Sequence, residues 1–182
     1  MAVRALTVDG FPGYVNMIRR GATTTWEDWL GDKVLIHPGL TSPCLWLYEG
    51  LAGIQTDPAA PGFKRIVIKP AVVDKPEVVE AWHNSLYGRI AVRREIKEGE
   101  YSLVVDVPPN ATAEVHMPAV DAAKVTESGK PVREAAGIRL LRYQDNRAVF
   151  EIGSGRYWFT AILARPDKSR LERVWYKNSA EP

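Results

Sequence analysis

The sequence predicts a mainly β protein, an antiparallel β-sandwich preceded by a short α-helical stub. Three observations carry this. The apolar period changes from 3.6 residues to 2 beyond Gly62. The later segments are short runs of Val, Ile and aromatic residues separated by turn signals such as SGK, QDN and GSG. No helical pattern intervenes between them. The 182 residues are 46% hydrophobic and 25% charged, with 14 Gly and 13 Pro, as in ordinary globular chains. That length predicts one domain and a remainder. It buries about 70% of the extended-chain surface, enough for a core without disulfides or a structural metal.

In chain order, Phe11, Tyr14, Val15 and Ile18 recur at helical spacing, and Gly21 after Arg19 and Arg20 supplies a C-terminal stop. A second helix starts where Ser42 caps and Pro43 takes the first helical position, then runs through Cys44, Leu45, Trp46, Leu47, Tyr48, Leu51 and Ala52 to Gly53. Apart from Glu49 and Gly50 its surface is apolar nearly all round, and such a helix must be enclosed on every side. Residues 1–56 hold too few helices to enclose it, which implies further structure upstream. The alternative is that the following sheet covers one face and a second chain the other. TDPAAPG, Thr56 to Gly62, joins several breakers without a periodic apolar residue and marks the boundary. The expected parts are a stub over 1–56, a sandwich over 57–164 and a tail over 165–182.

Within the sandwich, Arg65 to Lys69 and Val78 to Trp82 are strands. Ile90, Val92 and Ile96 alternate with Arg89, Arg93 and Glu95, and Glu98 and Gly99 turn the chain into Tyr101, Leu103, Val105 and Val107. That is a hairpin with one buried face. Further strands fit Ala113 to Met117, Ala123 to Thr126, Ile138 to Tyr143, Ala148 to Ile152 and Arg156 to Leu163. The tail from Arg165 to Pro182, with Trp175 and Tyr176, is either a short helix or loose.

Composition removes several classes of function. The 24 basic and 22 acidic residues give a net charge of +2, and the pI near 8.7 comes from scattered Lys and Arg. Clusters such as Arg93 and Arg94, or Lys168 to Arg173, are expected as solvated faces rather than a phosphate-tracking surface, so no nucleic acid is implied. The lone Cys44 excludes an intrachain disulfide, and three widely separated His give no zinc spacing. No metal or cofactor is expected. Phosphate loops and a serine nucleophile elbow are absent. No apolar run approaches the roughly 18 residues of a membrane helix, and Met1 to Gly10 lacks the apolar centre of a secretory signal. The chain is expected to be soluble and cytoplasmic.

The densest constellation is GATTTWEDW, Gly21 to Trp29, followed ten residues after Glu27 by His37. Two indoles, two carboxylates and three hydroxyls suit a sugar site, because Trp faces stack on the C–H faces of a pyranose and carboxylates accept sugar hydroxyls or activate water. Equally, Trp26 and Trp29 can be core, with Thr25, Glu27 and Asp28 in a cap or turn. His83 and His116 fall on strands and are expected to be ordinary sheet residues.

GATTTWEDW, then an isolated His before a helix ending WLYEGLAGI (Trp46 to Ile54), then PGFKRIVIKP (Pro61 to Pro70), resembles the C-terminal part of bacterial α-L-rhamnosidases. These are inverting glycoside hydrolases in which an (α/α)6 barrel of six hairpins precedes a β-sandwich. The motifs cover Gly13 to Pro70, and the sandwich beyond matches by pattern. The resemblance implies that the stub is the end of the barrel, that Glu27 is the general base activating the attacking water, and that His37 contacts the sugar in the −1 subsite. Trp26 and Trp29 are then pocket walls or packing just behind them. In the family the His usually follows Asn and precedes Phe-Gly-Ser, whereas here its neighbours are Ile36, Pro38, Gly39, Leu40 and Thr41, and the connection from Glu27 is shorter.

Inverting hydrolysis needs a second carboxyl group about 6.5–9.5 Å from the first. In the family this acid comes from an earlier hairpin, and none precedes Phe11 here. The first reading is therefore a C-terminal fragment or truncated form of an α-L-rhamnosidase-like hydrolase, bearing the base, lacking the acid, and inactive alone. Its partners are a rhamnoside-like carbohydrate and either a second copy or an upstream barrel-bearing chain. The alternatives are a non-catalytic carbohydrate-binding or scaffold module, or part of another (α/α)6 glycosidase.

Overall fold

The computed structural model describes residues Ala2–Leu163; the expected tail at Arg165–Pro182, with its Lys168–Arg173 cluster, lies outside them. Two short helices, α1 (Ala2–Thr7) and α2 (Tyr14–Arg19), come first. The second begins later than its apolar period predicts, leaving Phe11 exposed ahead of it. A 3-10 turn, Pro38–Thr41, leads into α3 (Ser42–Trp46), which has Pro43 in its first turn and continues as a π-helical segment over Leu47–Ala52. The side chain of Ser42, the expected cap, lies outside what the structure describes. Leu51 and Ala52 are buried, while Leu45, Leu47 and Tyr48 stay exposed.

Gly53 ends this helix at φ 77°. A Cβ there would lie 2.2 Å from Pro70 N, and its carbonyl accepts Lys69 N–H at 2.8 Å. Only glycine fits both the left-handed backbone and the contact, and through it the helix is fastened to the sandwich.

Eleven strands follow: β1 (Ile54–Thr56), β2 (Arg65–Ile68), β3 (Val78–Ser85), β4 (Gly88–Lys97), β5 (Glu100–Val107), β6 (Thr112–Pro118), β7 (Thr126–Glu127), β8 (Lys130–Pro131), β9 (Ile138–Gln144), β10 (Arg147–Ile152) and β11 (Gly155–Ile162). One sheet has the order β1-β2-β6-β10-β9 and the other β3-β4-β5-β11-β7-β8. Every pairing is antiparallel except β2 with β6. TDPAAPG connects β1 to β2, so the first strand of the sandwich comes from residues just before that segment. Where a strand was expected at Ala123 to Thr126, the chain makes a 3-10 turn, Ala122–Lys124, and the two-residue β7. Asp121 caps that turn by accepting Ala123 N–H at 2.9 Å, which favours the turn over extension.

The hairpin turns Glu98–Gly99, Ser128–Gly129 and Asp145–Asn146 each hold both residues at positive φ, the geometry that matches the twist of the flanking strands. The inner faces interlock in one core: Ile66, Ile68, Val115, Met117 and Phe150 from the first sheet meet Ile90, Val92, Leu103, Val105 and Phe159 from the second. Arg93 and Arg94 do not behave alike. Arg93 faces outward, but Arg94 continues the inward row of Ile90 and Val92 and is 0% exposed, so the expected solvated pair is half core.

Candidate functional site

Residues Gly21 to His37 form a loop closed by its own backbone. Glu27 N–H donates to Val34 O at 2.9 Å and His37 N–H to Thr25 O at 2.8 Å, so two segments run side by side as a short ladder. The threonines of GATTT reinforce it. Thr25 Oγ1 donates to His37 O at 3.0 Å, and Thr24 Oγ1 donates to Leu35 O. At the tip, Asp28 Oδ1 accepts Gly31 N–H at 2.8 Å and Asp32 N–H at 3.2 Å, an Asx-type closure. Gly31 sits at φ +76°, and a Cβ on it would lie 2.7 Å from the Trp26 ring.

This architecture sorts the candidate residues. Trp26, 8% exposed, lies behind the loop; its backbone N–H meets Met17 Sδ at 3.4 Å and its ring lies under Gly31. Alternation turns Glu27 the opposite way, to the exposed side. Among the described residues its carboxylate has no hydrogen bond or ion pair. Trp29 is half-buried edge-on to Tyr14, with centroids 5.2 Å apart and planes at 87°. Burial pushes the Tyr14 phenol above its usual pKa, and Cys44 adds to this, so it is a neutral hydroxyl at physiological pH.

His37 is oriented from within its own turn, Nδ1 accepting Gly39 N–H at 3.1 Å. In the neutral ring this leaves the proton on Nε2, free to donate. Glu27 and His37 are thus held on neighbouring rungs of one ladder, with Trp26 behind it. Trp29 follows beyond Glu27, against α2.

Sequence reasoning did not single out Met17, Tyr14 or Gly31 as supports. The threonine run was the available signal, since paired hydroxyls beside a chain reversal often bond backbone carbonyls.

The other histidines are structural in placement. His83 of β3 lies 4.5 Å from the Phe63 ring and lines a groove of about 400 Å³ with Cys44, Leu45 and Tyr48. His116 of β6 bonds Glu114 at 2.8 Å. Among the described residues no group of three or more His, Cys, Asp or Glu could hold a metal ion. No helix of these residues is long and apolar enough to cross a membrane.

Comparison with known proteins divides the chain at the end of the π-helical segment. Residues 1–51 match the bacterial alpha-L-rhamnosidase 6 hairpin glycosidase domain, and residues 53–131 match the bacterial alpha-L-rhamnosidase C-terminal domain. An alpha-L-rhamnosidase of Streptomyces avermitilis is 32% identical over 88% of this chain and 16% of its own length. One from Formosa agariphila is 28% identical over 83% of this chain and 17% of its own length. The crystal structure of the Streptomyces avermitilis enzyme complexed with L-rhamnose superposes with a TM-score of 0.75 at 31% identity, over 87% of this chain and 16% of that one. The structure of the Dictyoglumus thermophilum alpha-L-rhamnosidase gives 0.73 at 28% identity, over 87% and 18%. The chain therefore spans less than a fifth of the length of these relatives.

Proposed function

The chain belongs to the bacterial α-L-rhamnosidase family, as the end of the six-hairpin glycosidase domain joined to the C-terminal domain, and we propose that it carries the general-base side of an inverting sugar pocket. Glu27 accepts a proton from water while the water oxygen bonds to the anomeric carbon. The glycosidic C–O bond breaks on the opposite face, and the leaving oxygen takes its proton from an acid across the ring. His37 Nε2–H donates to a sugar hydroxyl, Trp29 supplies an apolar wall, and Trp26 stiffens the loop from behind. The substrate class is a rhamnoside-like carbohydrate.

One observation supports this most: Glu27 is an exposed carboxylate with no ion pair among the described residues, on a loop pinned by backbone and threonine hydrogen bonds at both sides. Its acidic neighbour in sequence is committed: Asp28 closes the loop tip, and a carboxylate next in the chain does not stand about 6.5–9.5 Å away across a sugar to protonate the leaving oxygen. In this reading the acid comes from other hairpins of the barrel, which pack on the exposed apolar face of Leu45, Leu47 and Tyr48.

The test is Glu27→Gln in this chain complemented by an acid-bearing barrel polypeptide. The rate on an aryl α-L-rhamnoside should fall by about 10²–10⁴ with the fold intact. Azide, a nucleophile that needs no base, should restore cleavage with inverted product. Activity that survives Glu27→Gln unchanged would remove Glu27 from this role.

A further inference from the structure

The outer face of the six-stranded sheet carries a cleft of about 490 Å³ that lies on strands rather than on the Glu27 loop. The register explains its shape. Arg93 of β4 pairs with Val104 of β5, and Val104 with Trp158 of β11, so the three form one row across the sheet. The next row is Glu95, Ser102 and Thr160. Along β5 the outward side chains Ser102 and Val104 are small, while Arg93 and Trp158 rise on either side. The two walls stand two strand spacings apart, about 10 Å at the backbone.

Trp158 is 57% exposed, so its ring presents an apolar surface to a ligand. It is nevertheless fixed in place. Its indole Nε1–H donates to Ser102 Oγ at 2.9 Å, and its carbonyl accepts Ser128 N–H at 2.9 Å. Around it the guanidinium groups are matched: Arg93 pairs with Glu95 at 2.8 Å and Arg156 faces Asp106 at 3.5 Å. Trp82, the other exposed indole of this face, has the Arg89 guanidinium over its ring at 4.9 Å, so its π-surface is already taken.

We propose that this cleft is a second carbohydrate-binding site, separate from the Glu27 pocket, that stacks an uncharged pyranose on Trp158. A sugar offers a C–H face to an indole and a rim of hydroxyls to planar charged groups, each of which can donate or accept. Each guanidinium is matched by a carboxylate, and Glu127, whose Oε1 accepts the Ser128 hydroxyl at 2.6 Å, adds a further negative charge, so the described cleft has no unmatched cation with which to select an anionic saccharide or a nucleic acid. The hydrogen bond to Ser102 directs the indole edge into the sheet and leaves the ring face free, so the platform is ordered before ligand arrives.

The experiment titrates the 182-residue chain with neutral trisaccharides, one of α-L-rhamnose and one of β-D-glucose, following the indole N–H resonances by NMR. The resonance absent in Trp158→Ala identifies the site. A neutral trisaccharide should shift that resonance saturably, and Trp158→Ala should weaken binding by about tenfold or more. Leu86→Ala, on the exposed β3–β4 turn, should leave binding unchanged. Arg93→Ala, on the opposite wall, tests the same cleft should Trp158→Ala fail to fold. The proposal is overturned if no neutral saccharide moves the Trp158 indole, if binding survives both variants, or if a galacturonate trisaccharide binds more tightly with strong salt dependence. Because Glu27 takes no part, Glu27→Gln should bind with unchanged affinity, which separates this site from the catalytic one.

Discussion

Arg94 of β4 and Tyr101 of β5 are diagonal neighbours on the inner face of the six-stranded sheet. Neither the three guanidinium nitrogens nor the phenol oxygen has a hydrogen-bond partner among the described residues. Both side chains are 0% exposed. Burial pulls the Arg94 pKa down, with Tyr101 acting in the opposite sense. A cation in such a place loses its hydration without regaining it from a counter-charge.

Arg94→Met should therefore stabilise the fold, by about 1–3 kcal/mol. Methionine keeps the length and flexibility needed to fill the space and carries no charge to desolvate. Thermal unfolding would register this as a rise of about 2–4 °C per kcal/mol at this chain length. A clear loss of stability would show that the guanidinium is matched in solution by a group outside the described residues.

Tyr101 predicts the alkaline limb. Burial raises its pKa from 10.0 to about 12, with Arg94 and Arg147 opposing. Between those values the unfolded chain has given up a proton that the native chain keeps, so stability present below about pH 10 is lost as pH rises toward 12. A shift of that size corresponds to roughly 3 kcal/mol. Denaturant midpoints between pH 9 and 12 should fall steeply in the parent and more gently in Tyr101→Phe; equal slopes would refute the assignment.

The acid limb belongs to the outer face of the other sheet, where Glu114 Oε1 lies 2.6 Å from Arg142 Nη2 and 2.8 Å from His116 Nε2. Burial alone would raise the Glu114 pKa, but Arg142 and His116 together bring it below the ordinary value. Burial also lowers His116, against the pull of Glu114. For both groups the unfolded chain binds protons more readily, so stability is lost as pH falls. Loss should begin below about pH 6.5 through His116 and continue below about 4.5 through Glu114. His116→Gln should flatten the first window and Glu114→Gln the second, read as unfolding midpoints from pH 8 to 3.

These charged groups show what the sequence made legible. The β4–β5 hairpin is visible as alternation, and the same alternation put Arg94 on the buried face with Ile90 and Val92. Its charge argued for solvent and hid the register, because Arg is almost never fully buried without a partner. Trp158 is similar: the row Tyr157, Phe159 and Ala161 faces inward, leaving Trp158 outside, yet one indole among six carries no sign of which face is exposed. Strands of two or three residues, β1, β7 and β8, are too short to show a period. At the Glu27 loop the motif was visible and its scaffold was not, since the ladder from Thr25 to His37 joins residues 12 apart without any apolar repeat.

The exposed helical face makes a concentration-dependent prediction. Leu45 is 60% exposed and Tyr48 49%, beside the groove lined by Ile54, Phe63 and His83. Contiguous apolar surface of this kind is seldom left bare. The isolated chain should self-associate in light scattering as concentration rises, and Leu45→Glu with Tyr48→Glu should shift it to monomer. A parent chain that is monodisperse and monomeric at high concentration would contradict this.

Asp28 provides the sharpest distinction between supporting the base and being it. Its Oδ1 alone accepts both Gly31 N–H and Asp32 N–H, and an asparagine presents the same oxygen. Asp28→Asn in the complemented enzyme should therefore cost at most about threefold in kcat/KM, the loss of charge weakening two retained hydrogen bonds. Asp28→Ala removes the acceptor, frees the tip that holds Gly31 at positive φ over Trp26, and lets the adjacent Glu27 wander. A displacement of about 1 Å at a catalytic group can cost as much as 10²-fold, so a loss of about tenfold or more is expected. Because the carboxylate of Glu27 is still present, azide should not relieve the defect as it relieves Glu27→Gln. Equal losses for Asp28→Asn and Asp28→Ala would mean that the charge of Asp28, rather than its turn, serves the reaction.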